Sequence, residues 1–482
     1  MDNELVQISP GQGPQPVESW SNTSRSESAS LPVSGRGETK TFYLETFGCQ
    51  MNVHDSEKIA GVLRARGYRA VERPEAADLI LYNTCSVREK AARKVYARLA
   101  LFKKTAHRRG KTLGVLGCVA QQEGERMFAH APYVSLVCGS PSYAQLPQLL
   151  EQLERGETRV TGLAPGGEDC FETALTSRQN SFWAYVTIIE GCNKECAYCV
   201  VPRTRGPERS RPSDRILAEC HRLAEEGYTE IQLLGQNVNS YCDPCAARLG
   251  FAELLVSVAE VNGLRRVRFA TSHPRDFTAE IVQAIESHPV LCEQLHLPVQ
   301  SGSTAVLARM QRGYTREEYL EKTDCIRRAK RAMSISTDII VGFCGETEED
   351  FGQTLSLLDI VGFDQAFSFV YSPRPWTPAA ELADTVPEEE KKWRLSVLQE
   401  HQRQIQLGRN QELVGREFEV LVEGFQPRLQ QAVGRTSSNR VVNFPGRPEW
   451  IGQYLRVRAT AAGPNSLVGV MVARPGSSPA GP

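Results

Sequence analysis

The sequence predicts an α/β fold in three parts: an open parallel α/β sheet, a partial β/α barrel and a small β-barrel. Three observations predict it. From Thr41 to about residue 150, and again from 181 to 408, short apolar β-rich runs alternate with amphipathic helical stretches, as in parallel sheets with crossover helices. From 411 to 474, five short strand-like runs are separated by turn residues. The length of 482 residues accommodates about three domains of ordinary size.

Composition narrows the function classes. With 56 Lys and Arg against 57 Asp and Glu, nucleic-acid binding must come from local patches rather than a global field. There is no secretory apolar core and no membrane-length apolar run, so no membrane partner is expected. The fourteen cysteines then read as ligands or core residues in a reducing, cytoplasmic compartment. Residues 1–38 are rich in Ser, Gly, Pro and Gln and are expected to form a disordered tail. Their acidic residues, among them Asp2, Glu4, Glu18 and Glu27, argue against an organelle transit peptide.

The first domain is expected over 40–150, with strands at Thr41–Phe47, Asp78–Asn83 and Thr112–Gly117. A helix is expected from about Asp55 to Arg66, a basic helix through Phe102 and a third after Cys118. This is an open, flavodoxin-like parallel sheet, in which sites collect beyond the carboxyl ends of the strands. Cys49, Cys85 and Cys118 each occupy that position, one per strand, so the fold gathers them into a candidate metal site. Cys138 follows the run 134–137 and reads as a core residue, with a fourth ligand as the alternative. Residues 151–180, including Cys170, read as a linker.

The second domain, 181–408, opens with an apolar strand, Trp183–Ile189, followed by Cys192, Cys196 and Cys199. Three thiolates in C-x3-C-x2-C spacing can hold three irons of a 4Fe–4S cluster and leave the fourth open. An open iron can chelate the amine and carboxylate of S-adenosylmethionine (SAM), and one electron then releases a 5′-deoxyadenosyl radical. This spacing is the signature of the radical-SAM superfamily. The alternative, a zinc knuckle, wants four ligands, usually as paired C-x2-C units. The Arg-rich segment from Val201 to Pro212 reads as a loop, either solvated or holding an anionic ligand. Further strands are expected at Glu230–Leu234, Arg266–Ala270, Gln294–Leu297, Ser334–Val341 and Ala366–Val370, and sites in such barrels form from the loops after the strands. Tyr198, Gln236, Thr271, Gln300, Ser301 and Asp338 are the candidates for holding SAM. His273 reads as a loop-ordering residue rather than a base. Cys242 and Cys245 read as a surface loop, with half a zinc site or a redox dithiol as alternatives.

A helix capped by Thr385, with Pro387 in its first turn, is expected to run to about Gln411. Beyond it, 411–474 reads as an OB-like barrel, a type that often binds nucleic acid. Eight Arg against five acidic residues from 411 to 482 make this end mildly basic. Residues 475–482 read as a fraying tail.

The stretches TFGCQMN, NTCSVREKA, LGCVAQQEGE, EGCNKECAYCVVPRTRG, LLGQNVNSY, LHLPVQSGS and STDIIVGF resemble the methylthiotransferases, from about Thr41 to Ala473. GCQMN and TCSVREKA resemble the MiaB-type tRNA branch more than the branches acting on ribosomal protein or threonylcarbamoyladenosine. The resemblance implies a methylthiotransferase domain, a radical-SAM partial barrel and a TRAM domain that grips tRNA. It implies conversion of isopentenyladenosine at position 37 of tRNA to its 2-methylthio form, at C2 of the adenine. It implies two 4Fe–4S clusters, an auxiliary one on Cys49, Cys85 and Cys118 and a radical one on Cys192, Cys196 and Cys199, with the Tyr198 backbone meeting the adenine of SAM. One SAM would donate a methyl group and another the radical; an electron donor such as flavodoxin or ferredoxin is implied, and the sulfur donor is left open. Cys344 stands where the family suggests Pro and Trp376 where it suggests Gly; Trp376 reads as packing, with base stacking as the alternative. The other readings are a methylthiotransferase acting on another tRNA adenosine or a ribosomal protein, and a non-catalytic iron–sulfur RNA-binding protein.

Overall fold

The runs Thr41–Phe47, Leu79–Thr84 and Thr112–Gly117 are buried nearly end to end, so each belongs inside a sheet covered on both faces. The computed structural model describes residues 39–86, 89–102, 110–163, 175–245 and 249–472, and places these runs centrally in a six-stranded parallel sheet. The strands are Thr41–Phe47 (β1), Arg69–Ala70 (β2), Leu79–Thr84 (β3), Thr112–Gly117 (β4), Leu136–Cys138 (β5) and Val160–Gly162 (β6), in the order β2-β1-β3-β4-β5-β6. Helices Gln50–Ala65 (α1), Glu89–Leu101 (α2), Cys118–Glu123 (α3), Arg126–His130 (α4) and Leu146–Glu154 (α5) connect them.

Two expectations are corrected here. The stretch 151–180 is not all linker: α5 runs to Glu154 and β6 pairs with β5, burying Val160. Residues 164–174, with Cys170, lie outside the described residues, as do the tails 1–38 and 473–482. Helix α1 begins at Gln50 rather than Asp55, directly after Cys49. Asn52 stabilises that early start, because its side chain reaches back to the Cys49 amide at 3.4 Å and across to the Thr84 carbonyl at 3.3 Å.

The second domain holds six parallel strands in two sets. Trp183–Thr187 (β7), Glu230–Leu234 (β10) and Arg266–Phe269 (β11) form one, and Gln294–His296 (β12), Ser334–Val341 (β13) and Gln365–Val370 (β14) the other. A parallel bridge between Val267 and Leu291 joins them into a partial barrel. The Arg-rich segment is more ordered than expected: Val201–Thr204 is a short helix (α6), and Arg209–Ser210 (β9) pairs with Ile189–Glu190 (β8). Helices Ser213–Glu225 (α7), Phe251–Ala259 (α8), Ala279–Ser287 (α9), Thr304–Arg309 (α10), Arg316–Arg327 (α11) and Glu348–Val361 (α12) connect or flank the strands. Ile335, Ile339 and Val341 of β13 enter the core shared with these helices, which leaves Ser336, Asp338 and Ile340 for the inner face.

Helix Glu388–Gln411 (α13) takes Pro387, not Thr385, as its cap, since Pro387 is extended and Glu388 is the first helical residue. It leads to a closed barrel of Glu417–Gln426 (β15), Gln431–Arg435 (β16), Val441–Pro445 (β17), Tyr454–Ala462 (β18) and Leu467–Met471 (β19). This barrel caps the amino ends of the central strands. Arg266 donates to the carbonyls of Arg435 and Glu419 at 2.8 and 2.7 Å, and Arg268 to those of Ser437 and Thr436 at 2.9 and 2.7 Å.

The seam between the first two domains is polar and dry. Helix α1 buries His54, Asp55 and Glu57 against the second domain and its connecting segment. Arg205 meets Asp55 at 2.6 Å, and Arg178 joins Glu57 (3.9 Å) to Glu219 (2.7 Å). Burial pushes the Glu57 carboxyl up to about 7 and holds His54 neutral.

Candidate active site

Parallel strands deliver their loops to one edge, so β1, β3 and β4 bring Cys49, Cys85 and Cys118 to the same end of the sheet. The Cys85 amide donates to the Phe47 carbonyl at 2.8 Å, which extends the β1–β3 ladder to the cysteines. Gly48 permits this approach: a Cβ there would stand 2.8 Å from the Cβ of Cys85. A hydrogen bond from Cys85, helped by the Asn52 amide and the Arg205 charge, lowers the Cys49 thiol to about 6. Arg205 also faces Cys118, so one buried guanidinium serves two of the three thiols and the domain seam.

The second triad sits in the turn after β8. Gly191 starts it at φ 76°, with its would-be Cβ only 2.0 Å from the Pro207 carbonyl, so a side chain is excluded there. The turn is pinned from outside: Cys192 N–H donates to Gly206 O (3.2 Å), Ala197 N–H to Met310 O (2.9 Å), and Ala197 O accepts from Ala379 N–H (2.8 Å). Cys192, Cys196 and Cys199 lie within electrostatic reach of one another, and burial pushes the Cys199 thiol up to about 12. Such a thiol ionises only where a metal compensates its charge.

Two groups surround Cys196, of which Arg312 was not foreseen from sequence. The buried Arg312 donates to its Sγ at 3.2 Å, to the Tyr198 hydroxyl at 3.3 Å and to the Pro298 carbonyl at 2.8 Å. The His273 ring lies 3.8 Å from the same Sγ, and its Nδ1 accepts the Arg275 amide at 3.2 Å. Burial, with Arg312 and Lys194 nearby, lowers His273 to about 2, so it is neutral and orders its loop as expected.

Of the SAM candidates, Gln236 accepts the Gly191 amide at 2.5 Å and ties β10 to the cysteine turn. Thr271 and Gln300, in the loops after β11 and β12, take left-handed conformations, φ 71° and 77°, backbone strain of the kind that gathers at functional sites. Asp338 pairs with His296 at 3.4 Å on the inner face. Ser301 is fully buried, its hydroxyl 3.4 Å from that of Thr354 and accepting the Ser303 amide, so it orders its loop. Cys138 is a core residue bonded to the Ser142 carbonyl, and burial pushes its thiol up to about 12. Cys242 and Cys245 are exposed, while Cys344 is buried against Ala379. Trp376 is not packed away: it is 48% exposed at φ 67°, a conformation a bulky side chain rarely adopts.

Thiolates are the donors that iron–sulfur clusters use, and two sets of three fit two such groups. Among the described residues, no three His, Cys, Asp or Glu side chains converge on a single ion. The ligands of a cubane each take a different iron, so convergence of that kind is not what a cluster requires.

Residues 41–139 match the uncharacterized protein family UPF0004, 186–358 the radical SAM superfamily and 411–472 the TRAM domain. Membership of the radical SAM superfamily implies a 4Fe–4S cluster and SAM. A solved radical SAM methyltransferase, TsrM from Kitasatospora setae, shares the fold with TM-score 0.51 at 14% identity, over 71% of this chain and 74% of that one. The tRNA-2-methylthio-N(6)-dimethylallyladenosine synthase of Solibacter usitatus is 59% identical over 89% of this chain and 97% of its own length. Those of Koribacter versatilis and Aquifex aeolicus are 55% and 43% identical, over 92% and 90% of this chain and 100% and 99% of their own lengths. On that identity, sustained through all three domains, the chain belongs to the tRNA-2-methylthio-N(6)-dimethylallyladenosine synthase family.

Proposed function

We propose that this enzyme converts N6-dimethylallyladenosine in tRNA to its 2-methylthio derivative. Cys192, Cys196 and Cys199 hold the radical cluster, and Cys49, Cys85 and Cys118 hold a second, sulfur-presenting cluster. The observation that carries this reading is one thiol triad at the carboxyl ends of the first domain's parallel strands and a second in the turn that follows β7 and β8, in two domains joined by one buried seam. When bound, the groups would supply radical and sulfur-transfer chemistry, which an aromatic C–H that is neither acidic nor nucleophilic requires.

The chain's own residues bind and orient. Arg312 places a positive charge and an N–H on the sulfur of Cys196. Gln236 holds the turn from β10, and Tyr198, Thr271, Gln300 and Asp338 are the residues proposed to line the SAM position. The electron donor is a small redox protein of the flavodoxin or ferredoxin kind, and the tRNA substrate places the reaction in the cytoplasm. No helix among the described residues is long and apolar enough to cross a membrane.

Anaerobic reconstitution with iron, sulfide, SAM, reductant and dimethylallylated tRNA tests the proposal. The expected products are 5′-deoxyadenosine and the methylthio-nucleoside. Product on a ribosomal protein or on another adenosine would overturn the substrate, and absence of 5′-deoxyadenosine would leave an iron–sulfur RNA-binding protein.

The C-terminal barrel supplies phosphate contacts. Arg428, in the β15–β16 turn, and Arg447, after β17, are exposed near one end of it, where Gly446 N–H meets Gln430 O at 3.1 Å. Replacing both by Gln is expected to weaken binding of tRNA with and without the dimethylallyl group alike. Each lost contact should lower the slope of log affinity against log salt by about one, read from a salt titration.

A further inference from the structure

Strand β14 carries two aromatic rings that the core does not use. Phe367 and Phe369 are 36% and 40% exposed, while Ala366 before them and Val370 after them pack into the helix-covered core. The Ser368 hydroxyl accepts from Gln399 of α13 at 3.3 Å, which fixes the outer face of the strand. By strand alternation the two phenylalanines stand on the inner face of the partial barrel.

Register identifies their neighbours. Phe367 is paired with Asp338 and Phe369 with Ile340, and paired residues share a face. The His296 ring meets Phe367 edge-on at 6.0 Å and Asp338 at 3.4 Å. Ile340 and Tyr198 both pack against the cluster that contains Ala197, a residue of the cysteine turn itself. The aromatic surface is therefore continuous with the radical site and runs from it to the open edge of the barrel.

Resting on the function proposed above, we propose that Phe367 and Phe369 receive the dimethylallyl group of the substrate adenosine and determine specificity for it. That group is a branched five-carbon alkene that makes no hydrogen bonds, so only an apolar wall can recognise it. It is attached at N6, on the carbon one ring nitrogen away from C2. Seating it against β14 therefore fixes the rotation of the base and the position of the C2 hydrogen relative to the cysteine turn. Asp338 beside the same wall disfavours an N6 substituent that bears a carboxylate.

The test compares binding of two anticodon stem-loops, one with N6-dimethylallyladenosine and one with unmodified adenosine, to wild type, Phe367→Ala/Phe369→Ala and Phe367→Leu/Phe369→Leu. Wild type is expected to prefer the dimethylallylated RNA by roughly 10–100-fold, as apolar pockets of this size do. The Ala pair should lose that preference with affinity for the unmodified RNA retained, and the Leu pair should keep most of it. A preference that survives in the Ala pair, equal loss for both RNAs, or no preference in wild type overturns the proposal. Methylthio-nucleoside formation by wild type, measured alongside, separately tests the function on which it rests.

Discussion

Replacing Cys192, Cys196 and Cys199 together by Ala is expected to abolish formation of 5′-deoxyadenosine and of methylthiolated tRNA, while about half of the iron remains. The remaining iron would be that of the cluster proposed on Cys49, Cys85 and Cys118, which lie in a different sheet with its own core. The reciprocal variant, with those three cysteines replaced, is expected to keep the other half of the iron and to lose the methylthio product. It should still form some 5′-deoxyadenosine, uncoupled from sulfur transfer, because the turn after β8 is pinned by Met310, Ala379 and Gly206 of its own domain. Iron content, 5′-deoxyadenosine and methylthio-nucleoside are measured on each variant. Methylthiolation by the N-terminal variant, or reductive SAM cleavage by the other, would refute the division of labour.

The second large effect is expected at the seam. Arg205→Ala removes one partner of an ion pair whose side chains are 4% and 2% exposed, and leaves the Asp55 carboxyl buried without it. Breaking such a pair costs about 3–5 kcal/mol, far more than an exposed pair contributes. Denaturant unfolding should show this loss, and adding Asp55→Ala should recover a substantial part of it, because no buried carboxyl is then left without its partner. The same guanidinium acts on Cys49 and Cys118, so iron loading of the N-terminal site should fall as well. A loss below about 1 kcal/mol would mean that water screens the pair.

Much of this site is legible in the sequence because its signals are local. The C-x3-C-x2-C turn carries its own spacing, and the strand-end rule gathers Cys49, Cys85 and Cys118 once β1, β3 and β4 are recognised from their unbroken apolar runs. What escaped depends on tertiary partners. Helix α1 starts early because Asn52 bonds to β3, which no pattern near Cys49 announces. Strand β6 is three residues long, Val-Thr-Gly, too short for a period to show. Arg312 reaches Cys196 across 116 residues of chain. The Phe-Ser-Phe alternation of β14 is visible, but it does not say which face is wet. The small, polar loop of Ser301 is visible in the sequence, but the contact of its hydroxyl with Thr354 of α12 is not.

The C-terminal barrel is docked through Arg266 and Arg268 at the amino ends of the central strands, whereas the cysteine turns occupy the carboxyl ends. On the function proposed above, one end of the enzyme would hold the RNA backbone and the opposite end the base. Each grip raises the effective concentration of the RNA at the other, so two modest affinities combine into a strong one only when a single molecule spans both. Selectivity for an intact, folded RNA over a loose nucleoside with the same base then follows from length alone.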